Sequence, residues 1–239
     1  MCPMDAPKPN VDPSELAKFN TADLKWWDKG GPLKGLHDIN PLRLQYITAR
    51  VSLTGKNVLD IGCGGGILTE ALARSKAHVT GIDANAAPLA AAGKHLSKSH
   101  LDISYRQITA EKLAQEKQNA YDVVTCMELL EHVPEPASVV AACAELARPG
   151  GDIFFATLNK TLRTYLFAIL AAEYVLGIMR KGTHQFSKLI KPTQLELWGK
   201  QAGLVPSNFS GLQYNPLLKI NRLGGSLAIN YLAHFKKPE

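Results

Sequence analysis

Residues 58–66 read VLDIGCGGG, a short apolar run that passes through Asp60 straight into a cluster of glycines. An apolar run bounded by glycine has the character of a buried strand. The GILTEALARSK that follows (66–76) carries helical spacing, so the glycines occupy a strand-to-helix turn. Gly62, Gly64, Gly65 and Gly66 remove side chains where a ligand must approach the backbone. The free N–H groups at such a helix start favour an anionic group. Asp83 ends the next strand signal, AHVTGID (77–83), 21 residues beyond Gly62. That is where an acidic side chain accepts from ribose hydroxyls in the mononucleotide halves of α/β folds.

Outward from this turn the same rhythm continues. NVLDIG (57–62), AHVTGID, DISYRQI (102–108), YDVVTCM (121–127) and DIFFATLN (152–159) read as strands. NAAPLAAAGKHLSKS (85–99), AEKLAQE (110–116) and EPASVVAACAELA (135–147) read as the helices between them, the last stopped by Pro149-Gly150-Gly151. Alternation of this kind builds a parallel sheet covered on both faces. A helix over PTQLELWGKQAG (192–203) precedes LVPSNFSGLQY and SLAINYLAHFK, a closing antiparallel pair. Upstream, one helix is expected within 12–31 with Ser14 as its N-cap, and a second within 36–51 entered through Asn40-Pro41. Residues 1–10 read as a disordered leader and 11–239 as a single domain, with N-terminal helices in 13–52 and an apolar insertion over 160–191.

The net charge of +6 and pI near 9.1 suit an acidic partner. No Lys/Arg block of five occurs and aromatic residues are few, which disfavours a nucleic-acid reader. Four cysteines without CxxC spacing suit a reducing compartment and argue against structural zinc. The start of the chain lacks the pattern of a signal or transit peptide, so a cytoplasmic location is expected. The insertion contains TYLFAILAAEYVLGIM (164–179), with Lys160 and Arg163 before it and Arg180 and Lys181 after it. It falls short of the ~20 apolar residues of a membrane span. A core or lid helix and a helix lying on anionic lipid both fit it.

Two cofactor classes share the glycine-turn layout. A dinucleotide sets a pyrophosphate over the loop, and S-adenosylmethionine sets its amino-acid end there. Asp60, just before the glycines, repels a pyrophosphate and suits an ammonium, which favours S-adenosylmethionine. VLDIGCGGG, GID (81–83) and YDVVTCMELLEHVPEP (121–136) resemble class I S-adenosylmethionine-dependent methyltransferases. VDPSELAKF (11–19), WWD (26–28), LHDINPLRLQYI (36–47), KGTHQFSKLIKP (181–192) and GLQYNP (211–216) resemble the ubiquinone-biosynthesis O-methyltransferase family. That resemblance implies a Rossmann-like fold: a mostly parallel seven-stranded sheet with one antiparallel strand and helices on both faces. It implies methylation of 2-polyprenyl-6-hydroxyphenol and 3-demethylubiquinol, with a polyprenyl phenol as substrate. Other ubiquinone-biosynthesis enzymes become candidate partners, and the location becomes the inner face of the membrane, held peripherally. It implies Arg43, Gly62, Asp83 and Met127 as cofactor contacts. Arg43 has the fork geometry to pair a carboxylate, and Asp60 and Gly64 join the set from the reading of the loop.

A phenol of pKa ~10 must lose its proton to attack a methyl group quickly. A side-chain base or a divalent cation serves. CMELLEHV (126–133) follows the fourth strand on the mouth side and supplies Glu128, Glu131 and His132. If helical, they share one face. They read first as a structural helix start, then as ligands for magnesium or zinc, then as a base with its positioning partner. His37 and His184 are weaker cavity candidates, and His78, His95, His100 and His234 read as surface or strand-edge positions. The competing functions are a methyltransferase for another small phenol or amine, and a non-catalytic cofactor-binding protein at the membrane.

Overall fold

The computed structural model describes residues 10–20, 25–161, 164, 186–215 and 220–239. Residues 1–9 of the expected leader and most of the 160–191 insertion lie outside the described residues. Asn10 is tied to the domain, its amide donating to Glu111 Oε1 at 2.7 Å and to the Glu135 carbonyl at 2.9 Å.

Eight strands form one sheet in the order β3-β2-β1-β4-β5-β8-β6-β7. The first five are β1 (Asn57–Ile61), β2 (His78–Asp83), β3 (Ile103–Gln107), β4 (Tyr121–Met127) and β5 (Ala147–Leu158), all mutually parallel. They are followed by β6 (Val205–Asn215), β7 (Ile220–Leu223) and β8 (Asn230–Lys236). β8 runs antiparallel between β5 and β6, and β7 is a short hairpin partner of β6. The expected seven strands are present, and β7 is the eighth. Its residues INRL lack the alternation that marks a half-buried strand.

The helices are α1 (Pro13–Phe19), α2 (Lys34–Thr48), α3 (Ile67–Arg74), α4 (Ala86–Ser99), α5 (Ala110–Glu116), α6 (Pro136–Leu146) and α7 (Pro192–Gln201). Side-chain caps start several of them: Asp12 accepts from Ser14 N, Asn85 from Ala87 N and Thr109 from Lys112 N. Asp12, not Ser14, therefore caps α1, and α1 ends far short of the expected 12–31 span. α2 begins at Lys34, so Pro41 lies inside it and not in its first turn. Ahead of Pro41 the helix buries Ile39, and Lys34 pairs with Asp38 on its exposed side.

Strand alternation divides the core into two layers. On one face Leu59, Ile61, Phe155 and Phe235 pack with Leu113, Val140 and Leu195 of α5, α6 and α7. On the other, Val58, Phe154 and Leu232 pack with Ile47 and Leu72 of α2 and α3. His234 is 3% exposed, contrary to its expected edge position. β6 covers the far side of β8, so His234 becomes an interior residue, bonded to Asp152 Oδ1 at 2.7 Å and stacked on Phe154. His95 is likewise engaged, stacked on Trp27. The sheet order reverses between β1 and β4, and a crevice opens beyond the carboxyl ends of strands at such a switch point.

Candidate functional site

A cavity of about 860 Å3 occupies this crevice. Its floor is the glycine turn, where Gly62, Gly64 and Gly66 have φ of +69°, +53° and +82°, values that disfavour any side chain. The turn is clipped to β2, because Gly64 N donates to Asp83 Oδ2 at 2.9 Å. Asp83 Oδ1 accepts from Asn85 N at 2.8 Å. Burial raises the Asp83 carboxyl above its ordinary value despite these two donors. Asp60 lies deeper, 2% exposed, accepting from Thr69 Oγ1 and Thr125 Oγ1, each at 2.7 Å. Burial pushes its carboxyl up to about 6.

Asp60, Gly62, Gly64 and Asp83 line the cavity together with Arg43 and Met127. Arg43 reaches in from α2, 5% exposed, and Nη2 donates to Glu128 Oε1 at 2.9 Å. Its Nε is buried with no hydrogen-bond partner among the described residues. A buried guanidinium with an open donor suits an additional anionic oxygen.

CMELLEHV does not continue β4 into a helix. Glu128 takes a left-handed conformation, φ +53°, with its N–H bonded to the Ala156 carbonyl at 2.8 Å. Only a single 3-10 turn, Leu130–His132, follows. The three side chains consequently share no helical face. Glu128 turns to Arg43 on α2. Glu131, behind the cavity wall, accepts from Thr157 Oγ1 of β5 at 2.8 Å. His132 Nδ1 bonds Glu15 Oε2 of α1 at 3.0 Å. Glu128 and His132 line the cavity and Glu131 does not. The three form no ligand set, and among the described residues no group of three His, Cys, Asp or Glu side chains can hold a metal ion. The expectation of magnesium or zinc at Glu128, Glu131 and His132 therefore does not fit this arrangement.

Two cavity residues carried no sequence signal for their roles. Glu15, 4% exposed, takes Lys188 Nζ at 2.7 Å and Lys18 Nζ at 2.9 Å besides His132. Burial alone would raise this carboxyl, but the His132, Lys188 and Lys18 contacts hold it well below the carboxylate range. Burial lowers His132, and the Glu15 hydrogen bond together with the Glu131 and Glu15 charges more than compensates, leaving the imidazole raised. Nothing local joins positions 15, 132 and 188. The other residue is Trp26, whose ring lies against Gly64 and Gly65. At those two positions glycine makes room for a side chain of the protein itself.

Glu131 gives a direct test of the electrostatics. Burial, with the Glu128 charge second, pushes its carboxyl from 4.5 up to about 7. The folded state thus holds a proton that the unfolded chain has lost. The resulting stabilisation is full below the unfolded value and disappears as pH rises through the folded one. Glu131→Gln removes the ionisation and keeps the shape. We expect it to be more stable than the parent at about pH 8 by at least about 1 kcal/mol, with the gap closing toward pH 5. Thermal unfolding across that range reads the difference, and equal melting at the alkaline end contradicts the assignment.

Comparison with known proteins agrees with the geometry. The family described as methyltransferase domain matches residues 37–206. The ubiquinone biosynthesis O-methyltransferase of Nitrosococcus oceani is 52% identical over 236 residues, covering 99% of this chain and 100% of the relative. That of Stutzerimonas stutzeri is 52% identical over 228 residues, 95% of this chain and 98% of the relative. Among solved structures, the Synechocystis magnesium protoporphyrin IX methyltransferase with bound S-adenosylmethionine superimposes with a TM-score of 0.65 at 16% identity, covering 93% of this chain and 94% of that one. The cyclase SpnF gives 0.63 at 18% identity over 83% of this chain and 80% of that one. The two structural likenesses show the fold, and SpnF carries it as a [4+2]-cyclase. By near-full-length identity, the chain belongs to the ubiquinone biosynthesis O-methyltransferase family of methyltransferase-domain proteins.

Proposed function

We propose that the chain transfers the methyl group of S-adenosylmethionine to a phenolic oxygen of polyprenylated intermediates in ubiquinone biosynthesis, both 2-polyprenyl-6-hydroxyphenol and 3-demethylubiquinol. The observation that carries this reading is a single cavity that joins a glycine turn, Asp83 and a partly unsatisfied Arg43 to a mouth bearing His132.

The residues present fit the cofactor. Arg43 offers its open Nε and its fork to the carboxylate of the amino-acid half. Asp60 faces the same half with negative charge, Gly62 and Gly64 line the space beside it, and Met127 flanks it from the end of β4. Asp83 is the acceptor for the ribose hydroxyls. Bound S-adenosylmethionine supplies a methyl group already activated on a sulfonium. The protein must align the acceptor oxygen and exclude water. Glu15 holds His132 Nδ1 as the N–H, so Nε2 is the proton-accepting atom of the neutral ring. His132 takes the phenolic proton, Glu15 stabilises the imidazolium that results, and Glu128 and Glu131 set the local field. No step passes through a cation.

Among the described residues no helix is long and apolar enough to cross a membrane. The +6 net charge and the basic flanks of 164–179 support peripheral contact with anionic lipid at the inner face of the membrane. A long apolar tail on the substrate gives that contact a purpose, and neighbouring enzymes of the same pathway would share the surface.

Labelled methyl transfer to a polyprenyl catechol tests the chemistry. We expect turnover that survives a chelator and falls by about 100-fold or more in His132→Ala. No product overturns the function, and loss of turnover with chelator overturns the metal-free route. For the membrane, co-flotation with anionic liposomes is expected for the whole chain and is expected to weaken about 10-fold when residues 165–179 are removed. Undiminished flotation of the shortened chain rejects that contact.

A further inference from the structure

The indole of Trp26 lies along the glycine turn. A Cβ at Gly64 would stand 2.7 Å from Trp26 Cη2, and one at Gly65 would stand 2.5 Å from Cδ2 and 2.6 Å from Cγ. Both rings of the indole therefore touch the loop backbone. Trp26 also lines the cavity that holds Arg43, Asp60 and Asp83.

The ring is fixed in place. The Lys25–Asp28 turn is closed by Asp28 N donating to the Lys25 carbonyl at 3.0 Å. His37 Nε2 of α2 bonds the Trp26 carbonyl at 2.8 Å. The adjacent Trp27 donates from Nε1 to the Gly65 carbonyl at 2.9 Å and stacks on His95 with centroids 3.4 Å apart and planes 3° from parallel. His95 Nδ1 in turn bonds the buried Glu70 at 2.6 Å. Trp27 is thus the anchor, and Trp26 is held against the loop with a surface left to the cavity.

We infer that Trp26 is a cofactor-contact residue that walls the amino-acid half of S-adenosylmethionine and leaves the adenosine half untouched. This rests on the reading of the cavity given above. In that reading the glycine turn underlies the amino-acid half and Asp83 takes the ribose, so a plate on Gly64 and Gly65 meets the former. Both positive centres of the cofactor, the ammonium and the sulfonium, belong to that half. An indole face attracts cations, and Asp60 sits beneath the same loop.

Calorimetric titration with S-adenosylhomocysteine and with adenosine separates the possibilities. S-adenosylhomocysteine keeps the ammonium and the amino-acid chain, and adenosine has neither. In Trp26→Leu, S-adenosylhomocysteine affinity is expected to fall ~10-fold with adenosine affinity unchanged, which also reports an intact fold. Trp26→Phe, which keeps an aromatic face, is expected to lose less. Equal weakening of both ligands, no change in either, or tighter S-adenosylhomocysteine binding overturns the inference. Failure of the unmodified protein to bind S-adenosylhomocysteine overturns the cavity reading itself and the inference with it.

Discussion

A carboxylate without solvent sits at the centre of this structure. Asp60, one residue before the end of β1, takes one hydroxyl from α3 and one from β4, and is 2% exposed. Moving such a group out of water costs several kcal/mol, and two neutral donors offset only part of that. The residual cost is visible in its raised carboxyl. What the arrangement secures is the switch point. Thr69 fixes where the helix leaves the glycine turn, and Thr125 fixes β4 beside β1. A cationic group arriving over the turn would relieve the burial penalty, so a group that is costly to bury also selects for the charge of the ligand.

A second constraint meets the first from the far side of the crevice. Glu128 leaves β4 in a left-handed conformation that costs an L-residue on the order of 1–2 kcal/mol. The Ala156 carbonyl and Arg43 hold it there. The turn directs Leu129 onto Gly62, where a Cβ would meet it at 3.1 Å. Two left-handed turns, one from β1 and one from β4, thus pack against each other and leave the cavity between them. Strain of this kind persists where surrounding structure over-determines it, commonly at functional sites.

Much of this was legible from local pattern. The five parallel strands, the glycine turn and Asp83 at the end of β2 follow from apolar runs and their punctuation. Arg43 and Met127, which the family resemblance implies as cofactor contacts, line the cavity. What was not legible depends on contacts far apart in sequence. Glu128, Glu131 and His132 look like one helical face only if the backbone continues as a helix, and the left-handed turn at Glu128 sends them to three different elements. Glu15 and Trp26 reach the site across more than a hundred and nearly forty residues respectively. His234 reads as an edge residue until β6 is known to lie outside β8. Pro41 reads as a helix start until the Lys34–Asp38 turn ahead of it is counted.

The central claim is that one cavity beyond β1, β2 and β4 holds S-adenosylmethionine by its own residues. A crystal structure with S-adenosylhomocysteine tests this most directly. The account predicts the carboxylate at Arg43, the amino-acid half against the face of Trp26 that the glycine turn leaves open, and the ribose hydroxyls on Asp83. Ligand density elsewhere, or a ribose away from Asp83 with Arg43 still paired only to Glu128, would contradict it.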